Sequence, residues 1–259
     1  MPTNPKMNPP MLHHSTLDQL EKLRFYGMAR ALRDQLSQPD INRLSFLDRL
    51  ALLLDCETSD RENRALNMRL RRAKLHQIAC MEEIDYRTAR ELNQQQMLQL
   101  ACCDWIRRHL NVILTGPTGT GKSYLACALA HKACLEGFTA RNHRLPRLLE
   151  ELTLARADGR YLKILNALKK LDVLVLDDWG FTALTQTQQE DIFQILGDRI
   201  QKRSTIATSQ LPVEHWHQAM ANPTMADAIL DRLIQPAYRI ELEGNSMRKQ
   251  FTNPEKSMP

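Results

Sequence analysis

Residues 116–123 read Gly-Pro-Thr-Gly-Thr-Gly-Lys-Ser, with the β-branched run Asn111–Thr115 before them and a helical run over 123–135 after them. No other feature constrains the chain as much. A buried strand must end in a glycine turn, and a helix headed by Lys-Ser must leave from that turn, so the turn wraps an anion. Gly116, Gly119 and Gly121 allow backbone angles that aim successive N–H groups inward at phosphate oxygens, with Pro117, Thr118 and Thr120 completing the loop. Lys122 reaches the β- and γ-phosphates, and the Ser123 hydroxyl ligates Mg²⁺. These eight residues are the candidate nucleotide site, with ATP and Mg²⁺ as cofactors. A glycine turn without this task has no need of Lys-Ser at that offset.

A phosphate cradle needs a carboxylate partner. Asp172-Val173-Leu174-Val175-Leu176-Asp177-Asp178 supplies one: an apolar strand with two carboxylates at its carboxyl end, where open α/β sheets bind ligands. Asp177 is the candidate metal holder with Ser123, and Asp178 the residue that orients and polarises the attacking water. One such Asp alone could equally be a helix cap. A later strand, 205–208, ends in Ser209-Gln210. In phosphate-loop ATPases with an acidic residue beside the metal ligand, a polar group on that strand tip contacts the γ-phosphate or the lytic water. Ser209 is the candidate here, against the alternative of an ordinary loop hydroxyl.

Strands are expected at 111–115, 138–142, 172–176, 205–208 and 237–242. Helices are expected at 123–135, 145–157, 161–170 and 187–200. This alternation implies a parallel sheet covered on both faces. Before residue 110 no strand pattern occurs. Residues 1–10 carry four prolines and read as a tail. Ser15 and Thr16 are expected to cap a first helix, Ser45 and Asp48 to open a second, and a third is expected over 60–75. The divisions expected are a tail at 1–12, a small all-α N-terminal domain at 13–78, an ATPase domain at 79–250 and a C-terminal tail at 251–259. Apolar residues make up 43% and charged residues 25%, which excludes wholesale disorder. No apolar run is long enough for a membrane span. Six cysteines without a Cys-x-x-Cys pair read as reduced thiols, and with no secretory pattern at the start they point to the cytoplasm.

The chain resembles the AAA+ ATPases, and within them the IstB-like transposition helpers of bacterial insertion sequences, with DnaC-type helicase loaders as neighbours. The strings that carry the likeness run from Phe25-Tyr26-Gly27-Met28-Ala29 through the phosphate loop. They continue with Leu176-Asp177-Asp178-Trp179-Gly180, Thr208-Ser209-Gln210-Leu211-Pro212, Leu230-Asp231-Arg232-Leu233 and Gly244-Asn245-Ser246-Met247-Arg248-Lys249. The resemblance implies a P-loop NTPase fold and an Mg²⁺-dependent ATPase. It makes Arg232 the arginine finger given to a neighbouring subunit's nucleotide, the alternative being a surface pair with Asp231. Asp178 stands where many members have the longer Glu. Arg248 weakly resembles a second nucleotide sensor. Only 27 residues follow Arg232, too few for a strand and a helical lid, so no full C-terminal lid is expected.

The net charge is a mild +5, but it is clustered. Arg61, Arg64, Arg69, Arg71, Arg72 and Lys74 face only Glu62 within their window, and a second group lies between the second and third sheet strands. Such runs are often solvated helix faces. The family likeness favours double-stranded DNA bound without strong sequence preference, contacted by Arg156, Arg160 and Lys163. The resemblance thus implies an ATP-dependent homo-oligomer on DNA that recruits its cognate transposase and dissolves on hydrolysis, with the N-terminal domain at 13–78 as the part that interacts with transposase or DNA. The other readings are a helicase loader and a non-hydrolysing adaptor.

Overall fold

The computed structural model describes residues 9–87 and 91–247. The chain forms two compact units, Met1–Met68 and Arg69–Pro259. Arg248 lies outside the described residues, as do 1–8 of the expected tail.

The first unit holds α1 (Pro9–Lys22), α2 (Tyr26–Ser37) and most of α3 (Phe46–Ala73). Two expectations are corrected here. The first helix begins at Pro9, six residues before Ser15, because proline suits a first helical turn. The second and third expected helices are one helix. Thr58 Oγ1 donates to Leu54 O at 2.9 Å and Asp60 pairs with Arg64 at 2.8 Å, so both serve the helix interior and neither caps a new start. The arginine cluster is also less bare than its window suggests. Its counter-charges sit just upstream: Arg61 pairs with Glu57 at 2.6 Å.

Phe25 gives α2 no side-chain cap, and α3 supplies one. The buried Glu57 carboxylate accepts from Gly27 N at 2.8 Å and Met28 N at 3.2 Å. Burial pushes its pKa up, but the Arg61 hydrogen bond and these two amides outweigh burial and hold it below the usual carboxylate range. The approach leaves no room at Gly27, where a Cβ would stand 2.6 Å from Cys56 O and 2.7 Å from Glu57 Cα. Gly27→Ala is therefore expected to destabilise the first unit by about 1–3 kcal/mol, because backbone must move. Gly197→Ala, in the helix Gln186–Arg199, where the added Cβ meets nothing within 4 Å, is the control. Denaturant melts followed by circular dichroism measure both.

The second unit begins with α4 (Gln94–Ala101) and α5 (Asp104–Arg107) and then alternates strand and helix. The order is β1 (Asn111–Thr115), α6 (Lys122–Leu135), β2 (Ala140–Arg144), α7 (Leu145–Ala157), α8 (Tyr161–Lys170) and β3 (Val173–Trp179). It continues with α9 (Gln186–Arg199), β4 (Ser204–Ser209), α10 (Pro223–Ile234) and β5 (Ala237–Glu241). The five strands are parallel, in the order β2-β3-β4-β1-β5, which bears out the expected flanked sheet. Strand β2 starts two residues later than expected. Thr139 is held in the preceding turn, its N and Oγ1 both donating to Asp172 Oδ2 at 2.9 and 2.7 Å. Alternate strand residues serve opposite faces. Ile113, Leu174, Leu176 and Ala207 join the core under α7 to α10, while Val112, Leu114, Val173 and Val175 are buried on the other face, where α6 packs across the sheet. No helix follows β5 among the described residues, and none of their helices is long and apolar enough to cross a membrane. All six cysteines are free.

Candidate functional site

The loop 116–121 leaves the carboxyl end of β1, between β4 and β5 in the sheet. Among the described residues, three of the seven helices that begin in the second unit start on a side-chain cap: Asn93 for α4, Asn222 for α10, and a complete Thr185–Gln188 capping box for α9. Helix α6 starts on Gly121, which offers no side-chain acceptor. Its amino end is thus shaped for an external anion, with the positive end of the helix dipole behind it. Lys122 is buried and folds back over the loop, its Nζ donating to Gly116 O at 2.7 Å and Pro117 O at 2.8 Å. An incoming phosphate offers the same ammonium a stronger, charge-assisted partner.

Three elements converge on Asp177. Ser123 Oγ, one residue into α6, donates to Asp177 Oδ1 at 2.9 Å, and Thr208 Oγ1 at the end of β4 donates to the same oxygen. Among the described residues no group of three or more His, Cys, Asp or Glu side chains could hold a metal. The Ser123–Asp177 pair fits Mg²⁺ of another kind, one held by a hydroxyl, a carboxylate and the nucleotide's own phosphates.

Asp178 is placed by a bulge that the sequence did not announce. Leu176 pairs with Ala207 but Trp179 pairs with Ser209, so β3 spends one more residue than β4 over this stretch. The extra residue is absorbed with Asp178 at φ +63°, left-handed backbone that Asp tolerates better than most side chains. The bulge turns Asp177 toward Ser123 and lets Asp178 face a different way, part-exposed, with its N donating to Thr208 Oγ1 at 3.3 Å. Burial, with Asp177 next to it, raises the Asp178 pKa; Arg144, whose Nε lies 3.8 Å from its Oδ2, works in the opposite direction.

Ser209 does not do what its position suggested. The bulge sets it opposite Trp179, so its buried hydroxyl donates to Trp179 O at 2.7 Å and accepts from Leu211 N at 3.0 Å. It closes the turn after β4. The next residue reaches the phosphate loop instead: Thr118 Oγ1 donates to Gln210 Oε1 at 2.8 Å. Thr208 and Gln210 are the site residues that sequence reasoning missed. Their signal was the strand tip itself, whose phase depends on the bulge.

Arg232 is remote from its own loop. Its carbonyl accepts from Asn111 Nδ2 at 3.2 Å, at the start of β1, about 13 Å along the strand from Thr115. Its guanidinium stacks 3.9 Å from the Phe193 ring centroid and donates to Ala228 O at 3.1 Å. The three basic candidates at the α7–α8 junction also differ from one another. Arg156 is taken up by the buried Asp191 and by Tyr161 OH at 3.0 Å. Removing it would leave the buried Asp191 without its cation, so Arg156 acts as a strut between α7 and α9, with its side chain still 40% exposed. Arg160 forms an exposed pair with Asp158 at 2.6 Å, and Lys163 is exposed.

Residues 18–254 match the model of the IstB-like ATP binding protein family. The chain belongs to the IstB-like ATP-binding family. It is 47% identical over 239 residues to an insertion sequence ATP-binding protein of Sinorhizobium fredii, covering 92% of this chain and 98% of that one. An ATP-binding protein of insertion sequence IS1162 from Pseudomonas fluorescens is 47% identical over 203 residues, 78% of this chain and 88% of that one. Solved structures share the AAA+ fold at lower identity. DnaI gives a TM-score of 0.57 at 23% identity, covering 63% of this chain and 90% of that one. The DnaC helicase loader gives 0.53 at 19%, covering 63% of this chain and 96% of that one. In this IstB-like chain the phosphate loop and Asp177 thus stand in an ATP-binding family and on a fold shared with helicase loaders.

Proposed function

We propose that this chain is an ATP-hydrolysing transposition helper, which assembles on duplex DNA with ATP, recruits the cognate transposase and comes apart on hydrolysis. One conjunction carries the reading. A complete loop–carboxylate arrangement, Ser123 and Thr208 on Asp177 with Asp178 beside it, occurs in a chain that matches insertion sequence ATP-binding proteins over 92% of its length. The likeness to helicase loaders is one of fold at under 25% identity, so it favours the same engine without favouring a helicase as partner.

In this reading the loop amides and Lys122 hold the β- and γ-phosphates, and Ser123 with Asp177 hold Mg²⁺, which when bound offsets the negative charge on the phosphates. Asp178 takes the proton of the attacking water, its pKa raised above the usual Asp range by burial and by Asp177, which makes it a stronger base than an ordinary Asp. Arg232, at the far end of β1, serves a neighbouring copy's nucleotide. Its place on the sheet supports that role, since it cannot reach its own. DNA phosphates are met by Arg160 and Lys163, with the weak exposed Asp158 pair giving way.

Sizing in the presence of duplex DNA with ATP or ADP, for the wild type and for Lys122→Ala, tests the proposal. Large assemblies are expected only for the wild type with ATP, and phosphate release only from that sample. The same size in all conditions would refute ATP-driven assembly. Assembly without any phosphate release, with DNA and transposase present, would favour the non-hydrolysing adaptor.

A further inference from the structure

The amino-terminal half of α3 presents large apolar side chains to solvent. Phe46 is 75% exposed, Leu47 72% and Leu54 51%. Leu47, Ala51 and Leu54 recur at i, i+4 and i+7, so they form one line about 10 Å long on the helix surface. A helix that is apolar on its outer as well as its inner side requires cover, and a contiguous exposed patch of this kind marks an interaction site.

Charge says what covers it. Asp48, Asp55 and Glu62 recur every seven residues and run beside the stripe, about 60–100° round the helix from Leu47. All three are exposed, and among the described residues none has an ion-pair partner. By contrast, the α3 acids that face α2 are matched: Glu57 by Arg61, and Asp60 by both Arg64 and Arg30. An acidic border repels a nucleic acid. Two copies of the stripe paired antiparallel would bring their acidic rows side by side, which disfavours an antiparallel pair of copies through this face.

We propose that this face of α3 docks an amphipathic helix of the transposase, with an apolar stripe of its own bordered by Lys or Arg. The proposal rests on the reading that the chain serves a transposase. The test uses the full chain, the cognate transposase, duplex DNA and ATP. Two variants are made, Leu47→Ser with Leu54→Ser, and Asp55→Lys with Glu62→Lys. Both are expected to weaken transposase binding by about tenfold or more. ATP turnover by the helper alone, and its melting curve, should stay as in the wild type for both variants, and DNA binding should stay so for the serine variant. Wild-type binding should weaken with added salt. If both variants bind the transposase as the wild type does, the docking surface is wrong. If the serine variant instead changes assembly size with ATP in the absence of transposase, the stripe joins copies of this chain, and the proposal is overturned. If the wild type itself does not bind the transposase, the transposition reading fails first.

Discussion

Asp178→Asn is expected to lower ATP turnover by about 10²- to 10⁴-fold while ATP affinity holds or rises slightly. Asn has the same shape and tolerates φ +63° as well as Asp does, so the bulge in β3 survives. The Asp177–Ser123–Thr208 cluster does not use the Asp178 side chain and stays intact. What disappears is the base. Removing one of two adjacent carboxylates also relieves the repulsion that helps burial to raise the Asp178 pKa, which favours an incoming polyanion. In the wild type, turnover should fall on the acid side at a higher pH than an ordinary Asp would give, because protonated Asp178 cannot accept a proton. Phosphate release against pH, together with equilibrium binding of a fluorescent ATP analogue, measures both effects. A variant that turns over ATP at the wild-type rate would remove Asp178 from the mechanism.

Gly116→Ala is expected to abolish measurable ATP binding and to lower the melting temperature. Gly116 has φ +138°, where a side chain is strained, and its Cβ would stand 2.1 Å from Leu242 O. Ordinary contact needs about 3.4 Å, and the obstacle is main chain, held by Leu242 N donating to Thr115 O at 2.8 Å. The end of β5 must therefore move or the loop must open. Gly119→Ala is strained as well, with φ +88° and its Cβ 2.1 Å from Ser246 Oγ and 2.7 Å from Ser246 Cβ; side-chain rotation relieves only the first contact, and Met247 N donating to Gly119 O at 3.0 Å keeps that segment close. Calorimetric titration with ATP and thermal melts of the two variants compare them. Equal binding by Gly116→Ala and the wild type would mean that the loop does not need this contact.

The phosphate loop, Asp177 and the strand–helix alternation were legible because each is local. A turn that cradles phosphate needs its glycines and Lys-Ser in consecutive positions, and a buried parallel strand such as 173–176 is apolar without a break. The expected 145–157 and 161–170 helices match α7 and α8, since a 3.6-residue apolar period and the Asp158-Gly159 break are both local signals. The misplaced features depend on contacts distant in sequence. Asp60 looks like a helix start until Arg30, thirty residues earlier on α2, is seen to pair with it. Arg156 looks like a free cation until Asp191, 35 residues on, claims it.

By itself the sequence placed a phosphate-loop motif between β1 and α6 and two carboxylates at the end of β3. Both are legible because short-range backbone geometry and the chemistry of phosphate call for those residue types in consecutive positions. Only the tertiary structure decided which hydroxyl meets which carboxylate. One extra residue in β3 shifts every later side chain by one position against β4, and a bulge is a property of two strands in register. Thr208 meets Asp177 in the register before the shift; the shift itself sets Ser209 opposite Trp179 as a turn closer and leaves Gln210 to reach the phosphate loop.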